Sequence, residues 1–248
     1  MSELFLLVYP DGNQEKGAAI AEKLDIPMVR ELREGQETPL FLALDQEGLS
    51  LNGDGMKMRG DFLQMLPRLK QGKLQGEMLV KAAKLKGLEY TPVVIDATAG
   101  MGEDSLLLAA AGYQVLLFEK DPVIHALLAD TLERAKGTSE LADIAGRMQL
   151  AGNDSIGAME SGELQADLVY LDPMFPARQK SGLIKKKFQL LQQLERPCSD
   201  EELLLQAALK VHPKRIVIKR PAKGPYLAGI KPSYSINGKA IRYDCLVP

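Results

Sequence analysis

The feature that most constrains the fold of this chain is an alternation that begins near Thr91. Short aliphatic and β-branched runs recur, each followed by a small or acidic loop and then by a stretch of helical length. Val93–Ala97 is the first, ending in Thr98-Ala99-Gly100-Met101-Gly102, and Glu103–Ala111 follows as an apolar helix closed by Gly112. Gln114–Glu119 is the next strand. Asp121-Pro122 supplies an N-cap followed by proline at the first helical position, opening a helix to about Ala135. Gln149–Ala151 and Asp167–Leu171 read as the third and fourth strands, Asp200–Lys210 as a helix and Arg215–Lys219 as the fifth strand. Tyr234–Ile236 and Ile241–Val247 end the pattern as two strands around Asn237-Gly238, a strong hairpin signal. Alternation of this kind predicts an α/β fold with a mostly parallel sheet, helices on both faces and an antiparallel C-terminal hairpin.

The preceding residues have a different texture. Strand-like runs at Leu4–Tyr9, Leu40–Leu44 and Leu49–Leu51 are punctuated by turn residues such as Asn52-Gly53-Asp54-Gly55. We therefore expect two domains, a small α/β unit over residues 1–76 and a larger one over residues 77–248 that starts with a helix at Glu77–Lys86. At 248 residues, 46% hydrophobic and 26% charged, the chain is composed like a globular protein, not like a disordered or fibrous one. No apolar run approaches the ~18 residues of a membrane span, and Leu4–Tyr9 reads as a strand, not a signal peptide. Two cysteines, Cys198 and Cys245, make no disulfide framework and point to a reduced, cytoplasmic setting. With His125 read as a packing residue and His212 as part of a connector, no metal site is expected.

In an open α/β sheet, ligands sit beyond the carboxyl ends of the strands. The residues there are Asp96 with Gly100, Gly102, Glu103 and Asp104, then Glu119-Lys120, then Asp154-Ser155, then Asp172-Pro173-Met174-Phe175. A glycine loop and an acidic residue after the second strand, able to take both hydroxyls of a ribose, fit either a nicotinamide cofactor or S-adenosylmethionine. The third glycine of the dinucleotide fingerprint is replaced by Ser105. Glu103 and Asp104 put negative charge where a pyrophosphate would lie, which favours a cationic sulfonium. Asp172-Pro173-Met174-Phe175 has the form of the (Asn/Asp)-Pro-Pro-(Tyr/Phe) motif, with Met174 in place of the second proline. An exocyclic amine conjugated with its ring is a poor nucleophile. The Asp172 carboxylate and the Pro173 carbonyl can accept its two N–H bonds and free its lone pair, while Phe175 stacks on the base.

On these residues the chain resembles the bacterial ribosomal small-subunit methyltransferase J family, which are S-adenosylmethionine-dependent 16S rRNA guanine-N2 methyltransferases. The segments that carry the resemblance are Val94–Asp104, Tyr170–Pro176, Gln179-Lys180-Ser181 with Lys185-Lys186, and Val217–Pro221. It extends from about Gly72 to the C-terminus and more weakly before. It implies a Rossmann-like class I methyltransferase fold with a seven-stranded sheet, and cofactor contacts at Glu103-Asp104, Glu119-Lys120, Asp154-Ser155 and Asp172. The family pattern has arginine at the Glu103 and Lys120 positions, so backbone contacts are the ones expected there. Methylation of adenine N6 or of another RNA stays open as an alternative. So does a non-catalytic RNA-binding assembly factor, although an intact Asp172 and Phe175 argue against it.

The charge distribution fits an RNA partner, which the resemblance implies to be 16S rRNA or the small ribosomal subunit. The whole chain has 31 Lys+Arg against 33 Asp+Glu, but residues 178–223 hold 12 basic and 4 acidic side chains. Arg178, Lys180, Lys185, Lys186 and Lys187 follow the Asp172 turn, and Lys219, Arg220 and Lys223 follow the fifth strand. These are the expected phosphate contacts. Lys57, Arg59, Arg68, Lys70 and Lys73 read first as a solvated face.

Overall fold

A computed structural model of the chain describes residues 4–32, 40–173, 190–191, 194 and 200–248. The first sheet contains β1 (Leu6–Val8), β2 (Met28–Val29), β3 (Phe41–Asp45), β4 (Gly48–Gly53) and β5 (Met56–Met58), in the order β2-β1-β3-β4-β5. Helix α1 (Gln14–Leu24) makes the crossover between the parallel β1 and β2. The Asn13 side chain accepts the Lys16 N–H at its start, and Asp25 ends it in the left-handed conformation. Asp54 and Gly55, both at positive φ, form the turn between β4 and β5.

The second sheet contains β6 (Val93–Asp96), β7 (Gln114–Phe118), β8 (Met148–Gly152), β9 (Leu168–Leu171), β10 (Arg215–Pro221), β11 (Tyr234–Asn237) and β12 (Ile241–Leu246). Their order is β11-β12-β10-β9-β6-β7-β8, parallel from β8 to β10 and antiparallel where β12 joins β10 and β11. The chain leaves β6 towards β7 and β8, then returns to lay β9 and β10 on the other side. That reversal opens a crevice at the carboxyl ends of β6 and β9, where a doubly wound sheet receives its ligand.

Helices cover both faces, so the central strands are apolar throughout, as in β9 with four buried residues in a row. On one face lie α2 (Met78–Ala83), α3 (Glu103–Ala110) and part of α4 (Pro122–Lys136). On the other lie α5 (Ser155–Glu160) and α6 (Glu201–Lys210). The opposite side of α4 receives the first sheet: Leu6, Val8, Leu42, Leu44, Leu49 and Leu51 pack with Val123, Ile124 and Leu127. Full burial of such a side chain contributes about 1.5–3 kcal/mol, so this contact is a second core.

The structure departs from the sequence reading in detail. The helix expected over Glu77–Lys86 runs only from Met78 to Ala83. Arg215 Nη1 donates to the carbonyls of Ala82 and Lys84, both at 2.8 Å, and so satisfies the chain end before Gly87 is reached. In the C-terminal hairpin Asn237 is not in the turn. It pairs with Arg242 as the last residue of β11, and Gly238 N–H donates to the Ile241 carbonyl.

Candidate active site

Three carboxylates converge at the ends of β6, β9 and α3. Asp96 closes β6 and is almost fully buried. Its Oδ2 accepts the Ser105 hydroxyl at 2.5 Å, and its Oδ1 accepts the Thr98 N–H at 3.2 Å. Burial, together with the negative charges of Asp104 and Asp172, pushes its carboxyl up to about 7. Thr98 in turn fixes the end of β9, because its Oγ1 accepts the Asp172 N–H at 2.7 Å.

Asp104 lies in the first turn of α3 and is held by two donors on one oxygen. The Tyr170 hydroxyl donates to Oδ2 at 2.6 Å and Lys219 Nζ donates to the same atom at 2.8 Å. Lys219 also reaches Asp172 Oδ2 at 2.7 Å. Burial works against the Lys219 ammonium, but Asp172 and Asp104 outweigh it and hold the group charged well above its ordinary value. Burial pushes the Asp172 carboxyl up, and Lys219 opposes that shift. Tyr243, paired with Lys219 across β12 and β10, closes the group from behind; burial pushes its phenol up.

The loop between β6 and α3 is built on two left-handed glycines. Gly102, at φ +77, caps α3 against Leu128 and Phe62. Gly100, at φ +53, has no atom of the described residues within 4 Å of where a Cβ would stand, so its backbone can be approached closely. Glu119 stands beside this loop, buried, with Oε2 accepting the Gly100 N–H at 2.7 Å and Oε1 the Asp121 N–H at 2.8 Å. Burial raises its carboxyl. A carboxylate offers about four acceptor positions, more than its backbone donors use, so a ribose hydroxyl can still be taken. Surplus negative charge beside an open glycine loop is an environment that a sulfonium nucleoside fits.

The remaining expected residues are placed as follows. Glu103, half-buried, opens α3. Lys120 is exposed, 3.7 Å from Asp200 Oδ2. Asp154 is exposed at the end of β8 and caps α5 by accepting the Gly157 N–H, with half-buried Ser155 next to it. Pro173 is buried after Asp172. Phe175, Arg178, Lys180, Lys185, Lys186 and Lys187 lie outside the described residues.

Two of the expected phosphate contacts are placed differently. Lys219 turns into the site, as above. Arg220 is buried, with Nε donating to the Pro225 carbonyl at 2.9 Å and Nη1 to Glu201 Oε1 at 3.2 Å, so its guanidinium faces the fold and not a surface. Lys223 is exposed. Thr98, Tyr170 and Tyr243 join the site unexpected from the sequence, and Ser105, read there only as the replacement for a third glycine, joins it as a donor to Asp96. Tyr170 had a signal, since it is two residues before Asp172 on a strand and shares its face. Tyr243 had none, because only the register of β10 with β12 brings it there.

Among the described residues no group of three His, Cys, Asp or Glu side chains could hold a metal ion. No described helix is long and apolar enough to cross a membrane.

Comparison with known proteins gives a consistent result. Residues 26–248 match a family described as "Putative SAM-dependent methyltransferase". A Thioalkalivibrio sulfidiphilus protein named "Ribosomal RNA small subunit methyltransferase J" is 41% identical over 243 residues, covering 94% of this chain and 93% of its own. A Pseudomonas aeruginosa protein of the same name is 40% identical, covering 94% of this chain and 90% of its own. Among solved structures, a SAM-dependent methyltransferase from Neisseria gonorrhoeae superposes with a TM-score of 0.70 at 27% identity, covering 98% of this chain and 96% of that one.

Proposed function

The chain belongs to the ribosomal RNA small subunit methyltransferase J family, and from that premise we propose that it methylates the exocyclic N2 amine of a guanosine in 16S rRNA. It is an S-adenosylmethionine-dependent rRNA methyltransferase. The observation that carries the finer reading is Asp172, an acceptor carboxylate at the switch point of the sheet, beside the Gly100–Gly102 loop and Glu119.

When bound, S-adenosylmethionine supplies an electrophilic methyl group on a sulfonium. The residues that would hold it are Asp96, Gly100, Gly102, Glu103, Asp104, Glu119, Lys120, Asp154, Ser155 and Asp172. Glu119 supplies acceptors for ribose hydroxyls, and the left-handed backbone of Gly100 gives close approach. Asp172 and the Pro173 carbonyl accept the two amine N–H bonds, directing the nitrogen lone pair outward, while Phe175 stacks on the base. Catalysis in this scheme is positioning. The amine sheds its proton after attack, so no side chain has to act as a strong base.

We assign RNA phosphate contacts to Arg178, Lys180, Lys185, Lys186 and Lys187, which follow Asp172-Pro173 in the sequence. We take residues 1–76 as an N-terminal domain and 77–248 as the methyltransferase domain, with the two sheets of the fold on either side of that boundary. The cytoplasm, where ribosomal RNA is made and assembled, is the proposed location.

The test is transfer of labelled methyl from S-adenosylmethionine to naked 16S rRNA, a precursor particle and the mature small subunit. Incorporation into at least one supports the reading. Tight cofactor binding with no incorporation into any of them would support a non-catalytic assembly factor instead.

A further inference from the structure

We propose that Lys219 is a positioning residue, clamping the Asp172 and Asp104 carboxylates together so that the amine acceptor and the first turn of α3 are held as one unit. The inference rests on the role given to Asp172 above, and it removes Lys219 from the set of RNA phosphate contacts.

The placement follows from strand register. β9 and β10 are parallel neighbours with Leu171 opposite Ile218, so Asp172 and Lys219 emerge side by side at the mouth of the crevice. Lys219 Nζ then spans Asp172 Oδ2 at 2.7 Å and Asp104 Oδ2 at 2.8 Å. Asp104 is held by the Tyr170 hydroxyl, so the clamp is anchored to β9, the strand that Asp172 directly follows. An ammonium already engaged with two carboxylates in a half-buried site has little left to offer a phosphate. A phosphate approaching it would also meet both negative charges.

The chemistry explains why such a clamp is needed. Two carboxylates facing one lysine nitrogen repel each other, and without it one of them would turn away or take up a proton. A protonated Asp172 would offer a donor to the target amine in place of an acceptor. The groups that act on Asp172 are Asp104 from α3, Asp96 from β6, Tyr170 from its own strand, Tyr243 from β12, and Lys219 and Arg220 from β10. The acidic groups disfavour its ionised form. Lys219 and Arg220 favour it, and the Arg220 guanidinium is directed to Pro225 and Glu201. Of the two cations, Lys219 is the one in hydrogen-bond contact with Asp172 and the one that acts on it more strongly.

The experiment compares wild type with Lys219→Met, Lys219→Gln and Lys219→Arg, using labelled methyl transfer at saturating cofactor and a range of RNA concentrations. It is repeated across pH and at several salt concentrations. Thermal stabilisation by S-adenosylmethionine checks that each variant folds around its cofactor. The expected result for Met and Gln is a fall in kcat of about 10²-fold at neutral pH, the scale for a misplaced reacting group. RNA KM and its salt dependence should stay near wild type. The acid limb of kcat should move to higher pH, because Asp172 without its ammonium ionises later. Lys219→Arg should recover part of kcat and return the acid limb towards wild type. A raised RNA KM with a shallower salt slope and unchanged kcat would overturn the proposal and make Lys219 a phosphate contact. Met and Gln variants with wild-type kcat and pH profile would overturn it as well. If Met and Gln fail to fold, Lys219→Arg decides: a lowered kcat with RNA KM near wild type supports the clamp, whose two-carboxylate geometry a guanidinium disturbs, and a wild-type kcat with an altered RNA KM overturns it. Wild type that transfers no methyl to any rRNA substrate would overturn the function reading and this inference together, an outcome distinct from an active wild type with indifferent variants.

Discussion

Glu119 Oε2 accepts the Gly100 N–H at 2.7 Å, tying the end of β7 to the loop that leaves β6. One carboxylate thus shapes the glycine loop and presents acceptors to a ribose. Glu119→Ala should weaken S-adenosylmethionine binding about 10- to 100-fold, the scale of about 1.5–3 kcal/mol for hydrogen bonds to a charged group. Isothermal titration of wild type and variant checks this. Equal dissociation constants would remove Glu119 from the cofactor site.

Asp96 makes stability depend on pH in a definite direction. Its folded carboxyl is raised to about 7 from an ordinary value of 3.8, so the folded protein keeps a proton that the unfolded chain has lost. That contribution is fully present below the ordinary value and is lost as pH rises through 7. Asp96→Asn, which cannot ionise, should lack the loss. Urea unfolding from pH 5 to pH 8.5 should show the variant gaining on wild type as pH rises. A constant difference across that range would mean that Asp96 is ionised throughout.

Gly102 is needed for its backbone and for its lack of a side chain. A Cβ there would stand 2.7 Å from Leu128 Cδ1 and 3.1 Å from Phe62 Cζ, at φ +77. Left-handed strain of roughly 1–2 kcal/mol and overpacking of roughly 1–3 kcal/mol act together. Gly102→Ala should therefore lower the urea midpoint by the equivalent of about 2–5 kcal/mol. Gly100→Ala, whose Cβ meets no atom of the described residues, should cost only the backbone part in the same assay.

Asp130 joins the two sheets through α4. Its buried carboxylate accepts from Lys16 Nζ at 2.7 Å, Arg134 Nε at 2.8 Å and the Leu49 N–H at 3.0 Å. Removing one partner of a buried pair typically costs about 3–5 kcal/mol; Lys16 and Arg134 keep some solvent contact, so Asp130→Ala should fall at or below the lower end. Hydrogen exchange should show β3 and β4 losing protection before β6 and β9. Uniform loss across both sheets would mean that the first sheet has no separate dependence on this anchor.

What could be read from the sequence was what short-range chemistry decides. The parallel strands announced themselves because both faces are buried, as in Val93-Val94-Ile95, and Asp121-Pro122 marked the start of α4 because capping is local. Asp96, Glu119 and Asp172 could be named because strand ends in this topology face one crevice. Lys219 and Arg220 read as phosphate contacts because their sequence surroundings are basic, whereas the acidic groups they pair with, Asp104, Asp172 and Glu201, come from other elements. Burial and register, both tertiary, decided those two. β2, with two residues, and β5, with three, are too short to show a period, and their pairing exists only against β1 and β4.

Every role assigned to the site serves methyl transfer to a guanine amine of the small-subunit RNA. The most direct test of that transfer is to incubate the protein with labelled S-adenosylmethionine and ribosomal RNA from cells lacking the enzyme, then separate the RNAs, digest them to nucleosides and identify the labelled one by mass spectrometry. Label is expected in N2-methylguanosine from 16S rRNA alone, and none with Asp172→Ala. Label in N6-methyladenosine, label in the large-subunit RNA, or full activity in Asp172→Ala would contradict that assignment.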